Sequence, residues 1–195
     1  MSSSDVSVIN EALVRIGASP ISSLNDANAQ AISAAEIFPT VYRDTMGLHP
    51  WHFALRSRQL AKVEVPQEDR EWHEGKYVYQ LPSGMLRALG LEDGGRYQIA
   101  GPRLFTDQKS VRLLYVADTP IEQWPDYFRL LVVLRFAAAI AVAVTDSSRR
   151  SQGMLQEAQL QQRAAMSIDS QQVPQKVFDL MKIYTRTRYN PLAGA

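Results

Sequence analysis

The most restrictive feature of this sequence is a long apolar stretch in its last third. Between Leu130 and Val144 the residues are almost all Leu, Val, Ile, Ala or Phe, and Arg135 is the only charged one. The pattern predicts a single helix over residues 121–144. At 1.5 Å per residue such a helix is about 36 Å long. A chain of 195 residues folds to a radius of gyration of about 16 Å, so this helix has to cross most of the protein.

A helix without a polar face has to be buried on every side. Either it is the central core helix of a bundle, or a neighbouring subunit covers the side that its own domain leaves open. The second alternative makes Leu131, Leu134 and Phe136 candidates for a subunit interface. The stretch from Leu130 to Val144 is shorter than the ~20 residues of a membrane-spanning helix, so no membrane partner is expected.

Helical and strand-like patterns follow one another in blocks along the chain. Residues 1–50 and 119–170 carry apolar side chains at helical spacing, whereas residues 51–118 have a period nearer two and recurring turn signals. We therefore predict an α+β, mainly α fold. In this fold a small antiparallel β-domain is inserted between the N-terminal and C-terminal helices of a bundle.

Capping residues and turns predict where the elements end. Ser4 is expected to cap the first helix, Asp26 the second, and Asp146 or Ser147 the last. Pro39 is expected to kink or break the second helix. The predicted strands cover residues 51–61, 77–81, 85–91, 96–100, 103–105 and 111–116.

Residues 171–195 look separate from these blocks. A linker of glutamine, valine and proline is followed by apolar residues at helical spacing and then by a basic end. From Ser147 onward seven basic and three acidic residues give a charge of +4, so the rest of the chain carries −3 of the total of +1. We expect this extension to dock on a partner through Val177, Leu180, Met181, Tyr184, Arg186 and Arg188.

Composition excludes several function classes. The chain has no cysteine, which excludes disulfide scaffolds, cysteine-ligated zinc, thiol nucleophiles and iron–sulfur clusters. A net charge of +1 argues against a domain whose main task is to hold nucleic acid electrostatically. The first residues, Met1 to Asp5, lack the pattern of a secretory signal, so we expect synthesis in a cytoplasm without export.

The best candidate for metal chemistry is His49-Pro50-Trp51-His52, with His73-Glu74 downstream. Histidines three residues apart share an ion only on one helical turn, and the proline between them works against that turn. We find no nucleophile elbow and no phosphate-binding loop. We therefore predict no catalytic residue, metal or cofactor. Two alternatives stay open, a small metal-dependent α+β enzyme using His49 and His52 and a DNA-binding accessory module using the basic C-terminal segment.

Short phrases spread over residues 8–165 form an ordered set with characteristic spacing. They are LVRIGASPISSL at 13–24, YRD at 42–44, HPWHFA at 49–54, YVYQLP at 77–82, LFTD at 104–107 and VRLLYV at 111–116. Together they resemble the tail tubular protein A family, the head-to-tail adaptors of tailed bacteriophages. Ser83-Gly84 and Pro39 depart from the family's pattern.

The resemblance implies a structural virion protein and no enzymatic activity. Members of this family assemble as twelve-fold rings with the portal protein above and tail or nozzle proteins below, and packaged DNA passes through the ring without sequence-specific binding. It also implies a location at the head–tail junction of the virion, after synthesis in the cytoplasm of the bacterial host. In such a ring two neighbours flank each subunit and can cover the apolar helix.

Overall fold

The structure is a computed structural model that describes residues 3–65 and 75–172. It divides this part of the chain into a helical unit, which runs to Phe53 and resumes at Thr119, and a β unit between them. The fold is α+β and mainly α, as predicted, because about half of the described residues are helical and the strands form two small antiparallel sheets. The predicted docking residues of the C-terminal extension lie outside the described residues.

In the described part of the chain, four α-helices build the helical unit. They are α1 (Ser3–Arg15), α2 (Ala29–Leu48), α3 (Asp126–Thr145) and α4 (Ser148–Gln171). The apolar helix α3 is central, because it packs against α1, α2 and α4. Its buried residues are Phe128, Leu131, Val132, Val133, Leu134, Phe136, Ala137, Ala138, Ile140 and Ala141.

The packing of α3 decides between the two alternatives that its composition left open. Leu131, Leu134 and Phe136 are at most 1% exposed within the single chain. The prediction that they contact a neighbouring subunit is therefore wrong, because the other helices of the same unit already cover them. They belong to the subunit core. The exposed residues of α3 are Asp126 at its N-terminal end, Ala139, and Val142 and Ala143 near its C-terminal end.

Several helix ends differ from the prediction. Asn28 caps α2 in place of Asp26, since its Oδ1 accepts the backbone N–H of Ala31 at 2.8 Å. The Asp26 carboxylate instead accepts the backbone N–H of Ser22 at 2.9 Å and shapes the preceding turn. Ser147 caps α4 by accepting from the backbone N–H of Arg150 at 3.3 Å, as predicted.

The N-terminal ends of α1 and α3 also differ from the prediction. Ser4 lies inside α1, which begins at Ser3. The helix predicted over residues 121–144 is divided, because residues 121–123 form a 3-10 turn and α3 begins only after Pro125. A proline fits at the start of a helix, where its missing N–H would have no partner within the helix.

Helix α2 runs uninterrupted through Pro39, so the break considered there does not occur. The proline removes one backbone hydrogen bond and costs about 3 kcal/mol in a helix interior. The aromatic side chain before it compensates by packing. Phe38 is buried, with its ring centroid 5.3 Å from that of Phe136 and 5.7 Å from that of Tyr42.

The β unit contains two antiparallel sheets where one was predicted. One sheet has the strand order β1-β7-β4 and the other β2-β3-β6-β5. The predicted strand over residues 51–61 is replaced by a 3-10 turn and one short strand, and a second short strand follows at residues 62–63. The strands are β1 (Leu55–Gln59), β2 (Lys62–Val63), β3 (Tyr77–Gln80), β4 (Met85–Leu91), β5 (Tyr97–Ala100), β6 (Arg103–Thr106) and β7 (Arg112–Ala117).

One apolar cluster forms the core of the β unit. Leu91, Leu113 and Tyr115 from the three-stranded sheet join Tyr79 and Leu104 from the four-stranded sheet. Because side chains alternate between the faces of a strand, Leu113 and Tyr115 project from the same face of β7. The alternation of apolar and polar residues in this part of the sequence arises because only one face of each such strand is buried in the core.

Helix α3 is long and apolar enough to cross a membrane, judged by length and composition alone. Its most apolar window has a mean hydropathy of 2.1, and 56% of that window is buried. The argument that the stretch is too short is therefore wrong, since α3 has 20 residues. A core helix of a bundle passes the same test, and the absence of a membrane partner stays a prediction.

Truncating a side chain in the centre of α3 tests its role in the subunit core. We expect Phe136→Ala to lower the free energy of unfolding by about 3–5 kcal/mol, because it leaves a cavity between α2 and α3. Val142→Ala is the matched control on the same helix, since this residue is 49% exposed, and it should cost less than about 1 kcal/mol. Urea denaturation measures both, and equal losses would contradict an enclosed α3.

Candidate functional site

Both histidines of the predicted metal candidate meet a buried carboxylate in the helical unit. The carboxylate belongs to Asp169, which lies in the last turn of α4 and is fully buried. His49 is the residue that follows α2, His52 comes three residues later, and Tyr127 lies in the first turn of α3. We call these residues, Asp169, His49, His52 and Tyr127, the Asp169 cluster.

The hydrogen bonds of the cluster converge on the two carboxylate oxygens. The hydroxyl of Tyr127 donates to Oδ1 of Asp169 at 2.7 Å. Oδ2 lies 2.8 Å from Nδ1 of His52, and the backbone N–H of His52 reaches both oxygens at 3.2 Å. Nε2 of His49 lies 3.3 Å from Oδ2 but is not aligned for a hydrogen bond. The buried charge is thus surrounded by donors, as a buried charge requires.

Trp51 packs beside His49 and anchors the segment that carries both histidines. It is fully buried, and its indole Nε1 donates to the carbonyl of Thr45 at 3.0 Å. Its ring packs edge-on against His49, with 4.9 Å between centroids, and against Phe128 at 5.0 Å. Pro50 has no N–H to continue the helix, so α2 ends just before it and the chain turns towards the end of α4.

The protonation of the cluster follows from these contacts. Burial by itself raises the pKa of Asp169, but contacts from His49, the Tyr127 hydroxyl and the backbone N–H of His52 outweigh it, helped by the charge of His52. The net effect lowers the pKa of Asp169 below its ordinary value of 3.8. The pKa of Tyr127 is raised, first by burial and then by its hydrogen bond to the Asp169 carboxylate and the charge of that group. The aspartate is therefore ionised and the tyrosine protonated at neutral pH.

This geometry favours a structural task over metal binding. A bound zinc ion would stand between its ligands at about 2.0–2.2 Å from each, whereas His52 and Asp169 are bonded directly to each other. Among the described residues no group of three or more His, Cys, Asp or Glu side chains is arranged to hold a metal ion. His73 and Glu74 lie outside the described residues. The cluster connects the end of α2, the start of α3 and the end of α4.

Two members of the cluster were not singled out from the sequence. Asp169 falls on the same stripe of α4 as Ala158 and Ala165, which are buried against the rest of the helical unit. The one sequence signal that could have identified Asp169 is the place of a carboxylate on the buried stripe of a helix. Tyr127 carries no such signal, because its position at the start of α3 resembles that of any aromatic core residue.

The interface candidates fall into two groups. The three on α3 lie in the core of the helical unit, and the six in the C-terminal extension lie outside the described residues. Large apolar side chains are exposed at other positions of the helices. A neighbouring subunit could reach these side chains, but not the three predicted residues of α3. Exposed residues of this kind include Val14, Ile32, Val142, Leu155, Leu160 and Ile168.

The phrases that resemble the adaptor family are distributed over both units. Residues 13–24 run from α1 into the next loop, residues 49–54 include the last residues of the first part of the helical unit, and residues 111–116 form most of β7. No protein-family model matches the sequence, and no curated protein matches it. The resemblance therefore depends on these phrases, their order and their spacing.

The lowered pKa of Asp169 predicts a specific pH dependence of stability. Because the pKa is lower in the folded than in the unfolded state, ionised Asp169 stabilises the fold above about pH 4, and this contribution is lost as the pH falls through the folded-state pKa. Asp169→Asn should lower the free energy of unfolding at pH 7 by about 1.5–3 kcal/mol, and its deficit should shrink towards pH 3. Urea titrations across this range measure the difference.

The control for this prediction is Asp44→Asn. Asp44 pairs with Arg135 at the surface and is 57% exposed, so its loss should cost less than about 1 kcal/mol. If wild type and Asp169→Asn instead lose stability in parallel down to pH 3, the Asp169 carboxylate does not stabilise the fold in the way proposed.

Metal analysis separates a structural cluster from a metal site. We expect far less than one zinc per chain in the purified protein and no change in melting temperature with a chelator. His52→Ala should instead lower the free energy of unfolding by about 1–3 kcal/mol, because it removes a donor from a buried carboxylate. Stoichiometric zinc that is lost in His49→Ala and His52→Ala would contradict this and support the metal-dependent alternative.

Proposed function

We propose that this chain is the subunit of a ring-shaped head-to-tail adaptor, which joins the portal of a tailed bacteriophage to its tail and leaves a passage for DNA. The observation that carries the proposal is the insertion of the β unit, residues 54–118, between the two halves of one helical unit. The resemblance to the adaptor family implies a helical bundle with a small β-domain. The HPWHFA phrase ends the first half of the helical unit, where Trp51 is a core residue.

The packing of the helical unit suits a subunit that folds before it assembles. Helix α3 is enclosed by its own chain, so burial of this helix does not depend on a ring neighbour. Subunits of a ring meet through two different surfaces, since the contact is heterologous. Contacts between the helices of neighbouring subunits would have to use exposed residues such as Leu160, which is 67% exposed, and not the enclosed residues of α3.

The charge of the chain is consistent with a passage for DNA. A protein that neutralises many phosphates binds DNA tightly and with a steep salt dependence. A net charge of +1 over 195 residues gives little of this attraction on average. A chain of this charge does not attract DNA strongly as a whole, which is consistent with DNA that moves through the ring without being held.

Neither alternative gains support from a specific observation. The histidines of the metal-dependent alternative surround Asp169, which already has protein partners. The DNA-binding alternative uses the basic segment from Ser147 onward, much of which lies outside the described residues. Within its described part, Arg150 donates to the carbonyl of Ile16 at 2.7 Å and so satisfies the end of α1.

Assembly on the portal tests the proposed function. We expect the purified chain to bind the portal protein of the same phage, and the mass of the complex to correspond to twelve copies of this chain. The isolated chain can be monomeric in this experiment, because a ring that forms only on its template leaves the free subunit unassembled. A failure to bind, or another stoichiometry, would contradict the twelve-fold adaptor.

A truncated chain tests the C-terminal extension in the same assay. Deletion of residues 173–195 leaves α4 complete, since this helix ends at Gln171. If the extension docks on the portal or on a neighbouring adaptor, the truncated chain should attach much more weakly. Unchanged attachment would show that docking uses other surfaces and would leave the adaptor proposal in place.

A further inference from the structure

A groove in the helical unit has room for another helix. It lies between α2 and α4, with α3 as its floor, and has a volume of about 500 Å³. Ala138 and Ala139 of α3 form the floor, Val41 belongs to the α2 wall, and Leu155 and Ala158 belong to the α4 wall. The small floor residues allow a close approach, and the large apolar Leu155 is 50% exposed at the rim.

The groove explains how Arg135, the one charged residue of the apolar stretch, is accommodated on α3. Arg135 lines the groove, and its guanidinium pairs with the carboxylate of Asp44 on α2. Both polar groups are therefore satisfied within the chain. The surface that remains for an occupant is mainly the apolar lining contributed by α2, α3 and α4.

The chain itself continues for long enough to fill the groove. Helix α4 ends at Gln171 with Gln172 as its cap, and residues 173–195 follow. Four extended residues, 173–176, reach about 13 Å, which equals about nine residues of α4 at 1.5 Å each. If they turn back along α4, residue 177 arrives beside position 162 or 163. Pro174 favours an extended linker, because it excludes the helical conformation for the residue before it.

The next residues have the pattern that such a groove requires. Val177, Leu180, Met181 and Tyr184 recur at i, i+3, i+4 and i+7, which is one face of a helix. A helix over residues 177–184 is about 10 Å long, so it would pass α4 from position 162 to position 155. The groove residues of α4 lie in this range, from Gln162 to Leu155. In such a helix Asp179 and Lys182 would fall on the opposite face, towards water.

We propose that residues 177–184 of the unassembled subunit dock as a helix into the groove of the same chain. The groove thereby keeps the apolar residues of the extension out of water until the extension is used elsewhere. The geometry of one chain carries this inference, so it stands whether or not the protein is an adaptor.

The absence of cysteine from the chain makes thiol labelling a direct test. Leu155→Cys introduces a thiol at the rim of the groove, and Leu160→Cys introduces one on the opposite face of α4, where the side chain is 67% exposed. Each variant is prepared with and without residues 173–195. We expect removal of the extension to speed alkylation of the first thiol by about fivefold or more and to leave the second thiol unchanged.

Three outcomes would overturn the proposal. The first is an unchanged alkylation rate at position 155 after truncation, because the extension then does not cover the groove. The second is an equal rate increase at both positions, which indicates a general loosening of α4. The third is protection that increases with protein concentration, because then a second copy occupies the groove.

A disulfide provides an independent measurement of the same contact. Under mild oxidation, Leu155→Cys combined with Tyr184→Cys should form an intramolecular bond within a monomer. The pair Leu160→Cys and Tyr184→Cys should not, although random collisions would favour its more exposed thiol. Equal bond formation in the two variants would contradict the proposed docking. Both tests use the purified chain without a portal, so their failure is distinct from a failure of the adaptor proposal.

Discussion

The burial of α3 is the constraint from which the rest of the helical unit follows. This helix has apolar residues all around its axis, and leaving any large part of it in water costs about 25 cal/mol per Å². Three helices of the same chain therefore surround it. One consequence is that the two halves of the helical unit, which are far apart in sequence, must come together, and the β unit becomes an insertion between them.

The Asp169 cluster fixes the ends of the helices that this burial brings together. A buried carboxylate is costly unless donors surround it, and Asp169 finds them in Tyr127 and in the ring and backbone of His52. These donors come from the start of α3 and from the residues after α2. Apolar packing tolerates small sliding movements between helices, whereas a carboxylate with several directed partners permits few arrangements. The two histidines of the metal candidate are thus neighbours of this carboxylate in the structure.

The same arrangement shapes the proposals about assembly. Because α3 is enclosed by its own chain, its apolar composition no longer indicates a neighbouring subunit. The adaptor proposal depends instead on the sequence phrases that resemble the adaptor family and on the inserted β unit. The groove above Ala138 and Ala139 is the place where the enclosure is incomplete. A short apolar stripe in the extension matches it in position and length. Storage of that stripe and its later docking on a partner are compatible steps of one assembly path.

Local patterns in the sequence determined the fold class, most strand positions and the cap at Ser147, because helical periodicity, strand alternation and capping depend on residues close in the chain. The sequence also determined that α3 must be enclosed. Only the tertiary structure decided what encloses it, because that depends on contacts between residues far apart in sequence. The same reason explains why Pro39 stays inside a helix and why His52 meets Asp169, 117 residues later. Long-range packing outweighs local preference at both places.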